Sequence, residues 1–172
     1  VSHSSAAYQA VVIGVSAGGL AVLGHIISNL PQDFPLPLIV VQHRSQDERS
    51  LLEEVLGEKS KIRIKQADEK EKILAGTVYF APGDYHLLIE KDGSFSLSCE
   101  PPVNYSRPSI DILFETAADA YGEGLIGIIL TGANKDGADG ISQIRKHGGT
   151  TIAQNPRTAQ YPCMPQAAVD TG

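Results

Sequence analysis

Three short apolar runs constrain this chain most: Ala10–Val15, Leu38–Gln42 and residues 125–131. Each is too short for an independent helix, and each is rich in Val, Ile or Leu. Continuous apolar runs of this length, bounded by turn signals, suit strands buried on both faces of a sheet. Between the first two lies a segment of helical spacing, residues 20–30. There Leu20, Leu23, Ile26, Ile27 and Leu30 share one side, and Pro31 and Pro35 close it. A second helix is predicted over residues 46–56, ended by Gly57. Further on, a helix over 109–121 is closed by Gly122, and another over 137–146 is ended by Gly148 and Gly149. Thr150–Ala153 is a further strand.

Strand–helix alternation at both ends predicts an α/β fold: three layers, doubly wound, with a mainly parallel sheet. The middle reads differently. Strands are expected over 62–65, Thr77–Phe80, 87–90 and 95–99, and Lys91-Asp92-Gly93 is a turn signal between the last two. That pair is an antiparallel hairpin insertion. Residues 101–107 are a loop. Residues 1–9 are small and polar, a linker or disordered lead-in, and 10–172 form one domain. The chain lacks an initiator Met and stops at Gly172 inside what reads as a helix, so a piece of a longer protein is expected.

Composition narrows the function. Net charge is −6 with scattered basic residues, which argues against nucleic acid as a partner, since phosphate binding needs clustered Lys and Arg. The densest basic group, Lys59, Lys61, Arg63 and Lys65, is flanked by Glu58 and the run 68–71 and reads as a solvated face. No apolar run approaches the roughly 20 residues that cross a bilayer, so no membrane insertion is expected. Cys99 and Cys163 lack CxxC partners, so neither a disulfide framework nor a metal site is implied. They read as reduced core or subsurface thiols of a cytoplasmic protein. No cofactor is called for.

Open parallel sheets gather functional groups at the carboxyl ends of their strands. The first strand delivers Gly14-Val15-Ser16-Ala17-Gly18 there. The second delivers Gln42-His43-Arg44. The third apolar strand delivers Thr131-Gly132-Ala133-Asn134-Lys135-Asp136-Gly137. A serine, a histidine and an aspartate therefore follow three different strand ends: the residue types of a nucleophile, its base and the base's orienting group. Residues 14–18 also match G-x-S-x-G in the strand–turn–helix setting of a nucleophile elbow. The Ala17 N–H, at the start of the following helix, would face a developing oxyanion. The chain order Ser, His, Asp differs from the Ser, Asp, His of α/β-hydrolases.

Plainer readings compete. Glycine turns after a first strand commonly bind phosphate. Gly14, Ser16 and Gly19 occupy G-x-G-x-x-G positions, although Ser16 stands where a dinucleotide needs close backbone approach and His43-Arg44 stand where an acidic residue is expected. Arg44 keeps an NADP reading open. A Walker loop fails, because Leu20-Ala21 follow Gly19. His43 alone suits a structural role, and Asp136 alone suits a helix N-cap ahead of Gly137-Ala138. Asp139 competes with Asp136 but falls inside the predicted helix. His25 and His147 read as helix-surface or dipole partners. His86, at the start of a hairpin strand, could equally line the site or serve structure. Arg107-Pro108-Ser109 reads as a helix start, with Arg107 also placed to meet an acidic substrate.

Several stretches together resemble one family, the catalytic domain of the protein-glutamate methylesterase of bacterial chemotaxis. They are Ile13-Gly14-Val15-Ser16-Ala17-Gly18-Gly19, Val41-Gln42-His43, Tyr79-Phe80-Ala81-Pro82-Gly83-Asp84-Tyr85-His86-Leu87, Arg107-Pro108-Ser109-Ile110-Asp111-Ile112-Leu113-Phe114, Leu130-Thr131-Gly132 with Asp136-Gly137-Ala138, and Ile152-Ala153-Gln154. The resemblance implies a doubly wound sheet and a triad of Ser16, His43 and Asp136. It also implies hydrolysis of γ-glutamyl methyl esters on the cytoplasmic helices of chemoreceptors, with glutamine deamidation in some members. Met164-Pro165 match a family segment near the active site. The family usually has Met-Gly where Ala133-Asn134 stand. The resemblance implies an oxyanion role for the backbone of Ala133, while Asn in place of Gly bears on rate and specificity. Many members carry a receiver domain whose phosphorylation relieves inhibition; such a domain, in cis or in trans, is an expected partner. The rival classes are a nucleotide-binding module, which micromolar NADPH or ATP saturation would reveal, and a non-catalytic scaffold of the same fold, whose Ser16 would resist a serine-reactive phosphonate.

Overall fold

The computed structural model describes residues 7–43 and 51–172. In chain order the elements are β1 Ala10–Val15, α1 Gly19–Ser28, β2 Leu38–Gln42, α2 Leu51–Gly57, β3 Arg63–Gln66, β4 Thr77–Phe80, β5 His86–Ile89, β6 Phe95–Ser98, α3 Ile110–Tyr121, β7 Leu125–Ile129, α4 Ala138–Lys146, β8 Thr150–Ala153 and α5 Cys163–Val169. Six strands form one sheet in the order β3-β4-β2-β1-β7-β8, and every pairing in it is parallel. β5 and β6 pair antiparallel as a separate ribbon. This is the doubly wound sheet with a hairpin insertion that the apolar runs predict.

The central strands are apolar throughout because helices cover both of their faces. Alternate residues separate into two cores. Val11, Ile13, Val15, Leu38, Val40, Val78 and Phe80 pack with Leu23 and Ile27 of α1 and Leu56 of α2. Val12, Ile39, Val41, Tyr79 and Ile129 pack on the other side with Leu113 and Phe114 of α3, Ile144 of α4, Met164 of α5 and Phe95 of the hairpin. Tyr79 and Phe95 meet edge to face, with ring centroids 5.0 Å apart. Gly127, which interrupts the third apolar run, lies under Ile141 and Ile144 of α4, and a side chain there would collide with Ile144 and crowd Ile141.

Boundaries shift where local chemistry decides them. α1 ends at Ser28 with Asn29 as its C-cap, two residues before Leu30. Residues 130–131 leave β7 and join the site loop. The expected start of α2 at Gln46 lies outside the described residues, as does Arg44. Tyr8 reaches Thr150, hydroxyl to hydroxyl at 2.9 Å, and the Gln9 N–H donates to the Gly124 carbonyl. Cys99 and Cys163 are free but exposed, not buried as their residue type suggested. Lys65 pairs with Asp68 and Glu71, as a mixed-charge surface should. No described helix is long and apolar enough to cross a membrane.

Candidate active site

The order of the strands reverses between β1 and β7, the place where an open parallel sheet leaves a crevice. Register fixes what meets there. Val15 lies beside Gln42, and Gly14 beside Ile129. Just past the sheet the Ser16 N–H donates to the Thr131 carbonyl at 2.9 Å, and the His43 N–H to the Val15 carbonyl at 3.0 Å. Ser16, His43 and the loop after β7 therefore leave the sheet side by side.

The turn at Ser16 divides its work between two glycines. Gly18 has φ 78° and caps α1, a left-handed conformation that suits glycine best. Gly14 remains within β1, and its missing side chain admits Ile110 of α3. Its role is packing, not turning. Gln42 ties the neighbouring strand ends together: its Nε2 donates to the carbonyls of Ser16 (2.9 Å) and His43 (3.1 Å). Its Oε1 is buried, without a hydrogen-bond partner among the described residues, and lies against Gly19. Gln160 packs similarly on Gly18. These two glycines make room for protein side chains, which removes the main feature shared with a dinucleotide turn.

Asp136 is fully buried and accepts four hydrogen bonds. His43 Nε2 lies 2.7 Å from its Oδ2. The Ile110 N–H (2.7 Å), the Asp111 N–H (3.2 Å) and the Ser109 hydroxyl (2.9 Å) complete the set. Burial pushes this carboxyl up. The His43 bond and the backbone N–H groups outweigh it and hold the carboxyl below the usual range. Asp136 does act as a helix cap, but of α3 rather than of α4, which it precedes and whose N-cap is Gly137. Asp111 returns the exchange from α3: its Oδ1 accepts from the Gly140 N–H in the first turn of α4 at 2.7 Å. Asn104 donates to its other oxygen at 2.8 Å. Burial pushes the Asp111 carboxyl up to about 7, with the charges of Asp136 and Asp139 adding to the effect and the Gly140 N–H opposing it.

An ionised carboxylate only accepts, so His43 Nε2 carries the proton and Nδ1 is the basic nitrogen. Among the described residues, the hydrogen-bond partner of Nδ1 is Asn134, whose Nδ2 lies 3.3 Å away. The Ser16 hydroxyl, half-buried nearby, makes no hydrogen bond to a described residue. Asn134 is held by its other end, since Oδ1 accepts the Asp136 N–H at 3.1 Å.

The remaining predicted residues divide into two groups. Ala17, Ala133 and Met164 belong to the loops around Ser16. The Ala17 carbonyl accepts from Thr131 Oγ1 (3.0 Å), and Thr131 Oγ1 accepts from the Tyr161 N–H (2.9 Å). Met164 is buried against Gly132, whose carbonyl takes the Met164 N–H at 3.0 Å. Ala133 borders an open depression of about 400 Å³ with Tyr161, Pro162, Cys163 and Gln166. Neither the Ala17 nor the Ala133 N–H donates to a described residue. His86 and Arg107 are committed elsewhere. His86 is buried; its Nδ1 accepts the Ser109 N–H and its Nε2 donates to the Pro101 carbonyl at 3.0 Å. It supports the start of α3 behind Asp136. Arg107 donates to the carbonyls of Cys99 and Glu100. His25 and His147 stay at helix ends, the latter against Asp119.

Sequence reasoning named Asn134 only as a departure from the family's Met-Gly, and took Ser109 and Thr131 as no more than a helix start and a strand end. Ser109 was legible only as a cap of its own helix, whereas its hydroxyl serves Asp136. The Asn134-Lys135-Asp136 spacing is an Asx-turn signal, and that signal would have tied Asn134 to the Asp136 N–H.

A histidine–carboxylate pair beside a serine-bearing turn, at the switch point of a parallel sheet, places the chain among α/β hydrolytic folds outside the Ser, Asp, His order. Comparison with known proteins makes the family specific. The CheB methylesterase profile matches residues 11–172, and the chain belongs to that family. A Leptospira interrogans protein (serovar copenhageni), whose name includes protein-glutamate methylesterase/protein-glutamine glutaminase, is 49% identical over 163 residues, covering 95% of this chain and 84% of its own length. Protein-glutamate methylesterase/protein-glutamine glutaminase 1 of Carboxydothermus hydrogenoformans is 41% identical over 95% of this chain, which spans 50% of that longer protein. The crystal structure of the Thermotoga maritima CheB methylesterase catalytic domain superposes with a TM-score of 0.91 at 37% identity, covering 96% of this chain and 89% of that one.

Proposed function

We propose that this chain hydrolyses γ-glutamyl methyl esters of methyl-accepting chemoreceptors, with Ser16 as nucleophile, His43 as base and Asp136 as its orienting group. The observation that carries the reading is the 2.7 Å bond between His43 Nε2 and the buried Asp136 carboxylate, beside a serine turn in a chain of this family. Asp136 fixes the tautomer, so His43 Nδ1 takes the Ser16 proton. Ser16 Oγ bonds to the ester carbonyl carbon while the carbonyl electron pair moves to oxygen. The Ala17 and Ala133 N–H groups are the candidate donors to that oxyanion. The C–O bond to methoxide then breaks, and His43 returns the proton to give methanol. Water, deprotonated by His43, releases the glutamate and restores Ser16. A glutamine side chain would follow the same course with ammonia leaving, which the glutaminase names of the relatives favour as a second activity. The substrate assigns the chain to the cytoplasm, with the receptor's cytoplasmic helices as substrate and a receiver domain, in cis or trans, as regulatory partner. Ser16→Ala is expected to fold normally and to lose methanol release from methylated receptor. Release near the wild-type rate would end the assignment.

A further inference from the structure

Three hydrogen bonds close a ring around the base. The Asp136 N–H donates to Asn134 Oδ1 (3.1 Å), Asn134 Nδ2 donates to His43 Nδ1 (3.3 Å), and His43 Nε2 donates to Asp136 Oδ2 (2.7 Å). Each bond fixes the direction of the next. Turning the Asn134 amide over would set its Nδ2 against the Asp136 N–H, donor to donor, so the amide faces the imidazole as a donor. Neutral imidazole has one in-plane lone pair at Nδ1, and one donor at a time can align with it. The Ser16 hydroxyl needs that same lone pair.

We propose that Asn134 is a positioning residue that occupies the basic lone pair of His43 in the resting chain and must yield it to Ser16 before the serine can react. The proposal rests on the reading of Ser16 and His43 as nucleophile and base. Its chemistry is specific to an amide. Asp could make the Asx turn with the Asp136 N–H but has no donor, and Ser would have to accept and donate through one oxygen, whereas the Asn amide accepts at one atom and donates from another. At 3.3 Å the bond to Nδ1 lies beyond the usual N–H donor range. It is weak enough to be displaced by an approaching substrate, yet sufficient to keep the hydroxyl idle between turnovers.

The test is the second-order rate at which a fluorophosphonate modifies Ser16, followed by mass spectrometry on the whole chain. Asn134 has no positive φ, so Asn134→Ala fits the backbone. Freeing one neutral hydrogen bond is expected to speed labelling about fivefold. Asn134→Asp keeps the turn and the size, but its carboxylate cannot donate to Nδ1 and favours a proton there. That variant is expected to label more slowly than wild type. A role confined to turn-making would leave Asn134→Asp at the wild-type rate and make Asn134→Ala slower. Imidazole ¹⁵N spectra give a second readout. In Asn134→Ala the Nδ1 resonance of His43 should come to depend on Ser16, moving toward that of an unbonded imine nitrogen when Ser16→Ala is added, and a resonance that the second substitution leaves unmoved overturns the proposal. His43→Gln separates the two levels. If labelling is indifferent to His43→Gln, the nucleophile–base reading falls and this proposal with it. If labelling requires His43 but Asn134→Ala labels no faster than wild type, the role of Asn134 alone is overturned.

Discussion

The two faces of the sheet are sealed by similar means but carry different content. The face under α1 and α2 is apolar from Val11 and Leu23 to Phe80, with the uncharged Gln42 amide at its upper edge. The face under α3, α4 and α5 also has an apolar centre. At its upper edge, however, lie Ser109, Asp111, Asp136 and His86, all buried. Their bonds hold the N-termini of α3 and α4 and the imidazole of His43 in one network. The first face can be built from pattern alone. The second spends buried polar groups, each of which must be satisfied, to hold a side chain in one orientation. Stability and chemistry should therefore separate by face.

The largest expected effect lies on the polar face. Asp136→Asn removes the ionised acceptor from His43 and lets the wrong tautomer form. Methanol release should fall roughly 10³- to 10⁴-fold. The N–H groups of Ile110 and Asp111 lose a charged partner as well, so urea melting should show a loss of roughly 2 kcal/mol. Next comes Leu23→Ala on the apolar face. Leu23 is fully buried, and its truncation should cost about 3 kcal/mol. The rate per folded molecule should stay at the wild-type level. A rate loss in Leu23→Ala as steep as that in Asp136→Asn would break the distinction between the faces.

The same contrast explains what the sequence could tell. β1, β2 and β4 fall where the sequence places them, because burial on both faces leaves an unambiguous pattern; β8 falls in its expected place too, although at the sheet edge none of its residues is buried. Ser16, His43 and Asp136 were singled out by asking what each strand end delivers, and the structure brings His43 and Asp136 into contact. The links between these residues were not legible. Asp111 looks like an ordinary acidic residue in a first helical turn, yet its partner is Gly140 of another helix. Asp136 looks like a cap of α4 and caps α3. His86 was weighed as site-lining, but a backbone donor 23 residues away claims its Nδ1. Each of these is a tertiary contact between loops, and no local periodicity encodes it. The cysteines fail for the opposite reason: residue type favours burial, and the packing left both at the surface.

The smallest effect sharpens the comparison most. The Asp111 carboxyl is raised from 3.8 to about 7. A carboxyl raised on folding binds its proton more tightly in the native state than in the unfolded one. Its contribution is therefore fully present below the unfolded value and is lost as pH rises through the folded value. The window runs from about pH 4 to pH 7. Asp111→Asn mimics the protonated form, keeps an acceptor for the Gly140 N–H and carries no charge beside Asp136. Melting curves of the variant and the wild type should nearly coincide at about pH 4, with the variant the more stable by roughly 1 kcal/mol at about pH 8. Among the described residues the apolar face has no such group, so Leu23→Ala should show an unchanged penalty across the same range. A pH-independent gap between Asp111→Asn and wild type would mean that folding leaves the Asp111 carboxyl at its ordinary value, and the pH response of the polar face would then rest on other groups, Asp136 first among them. Asp136 acts in the opposite sense, because a lowered carboxyl loses its stabilising contribution as pH falls.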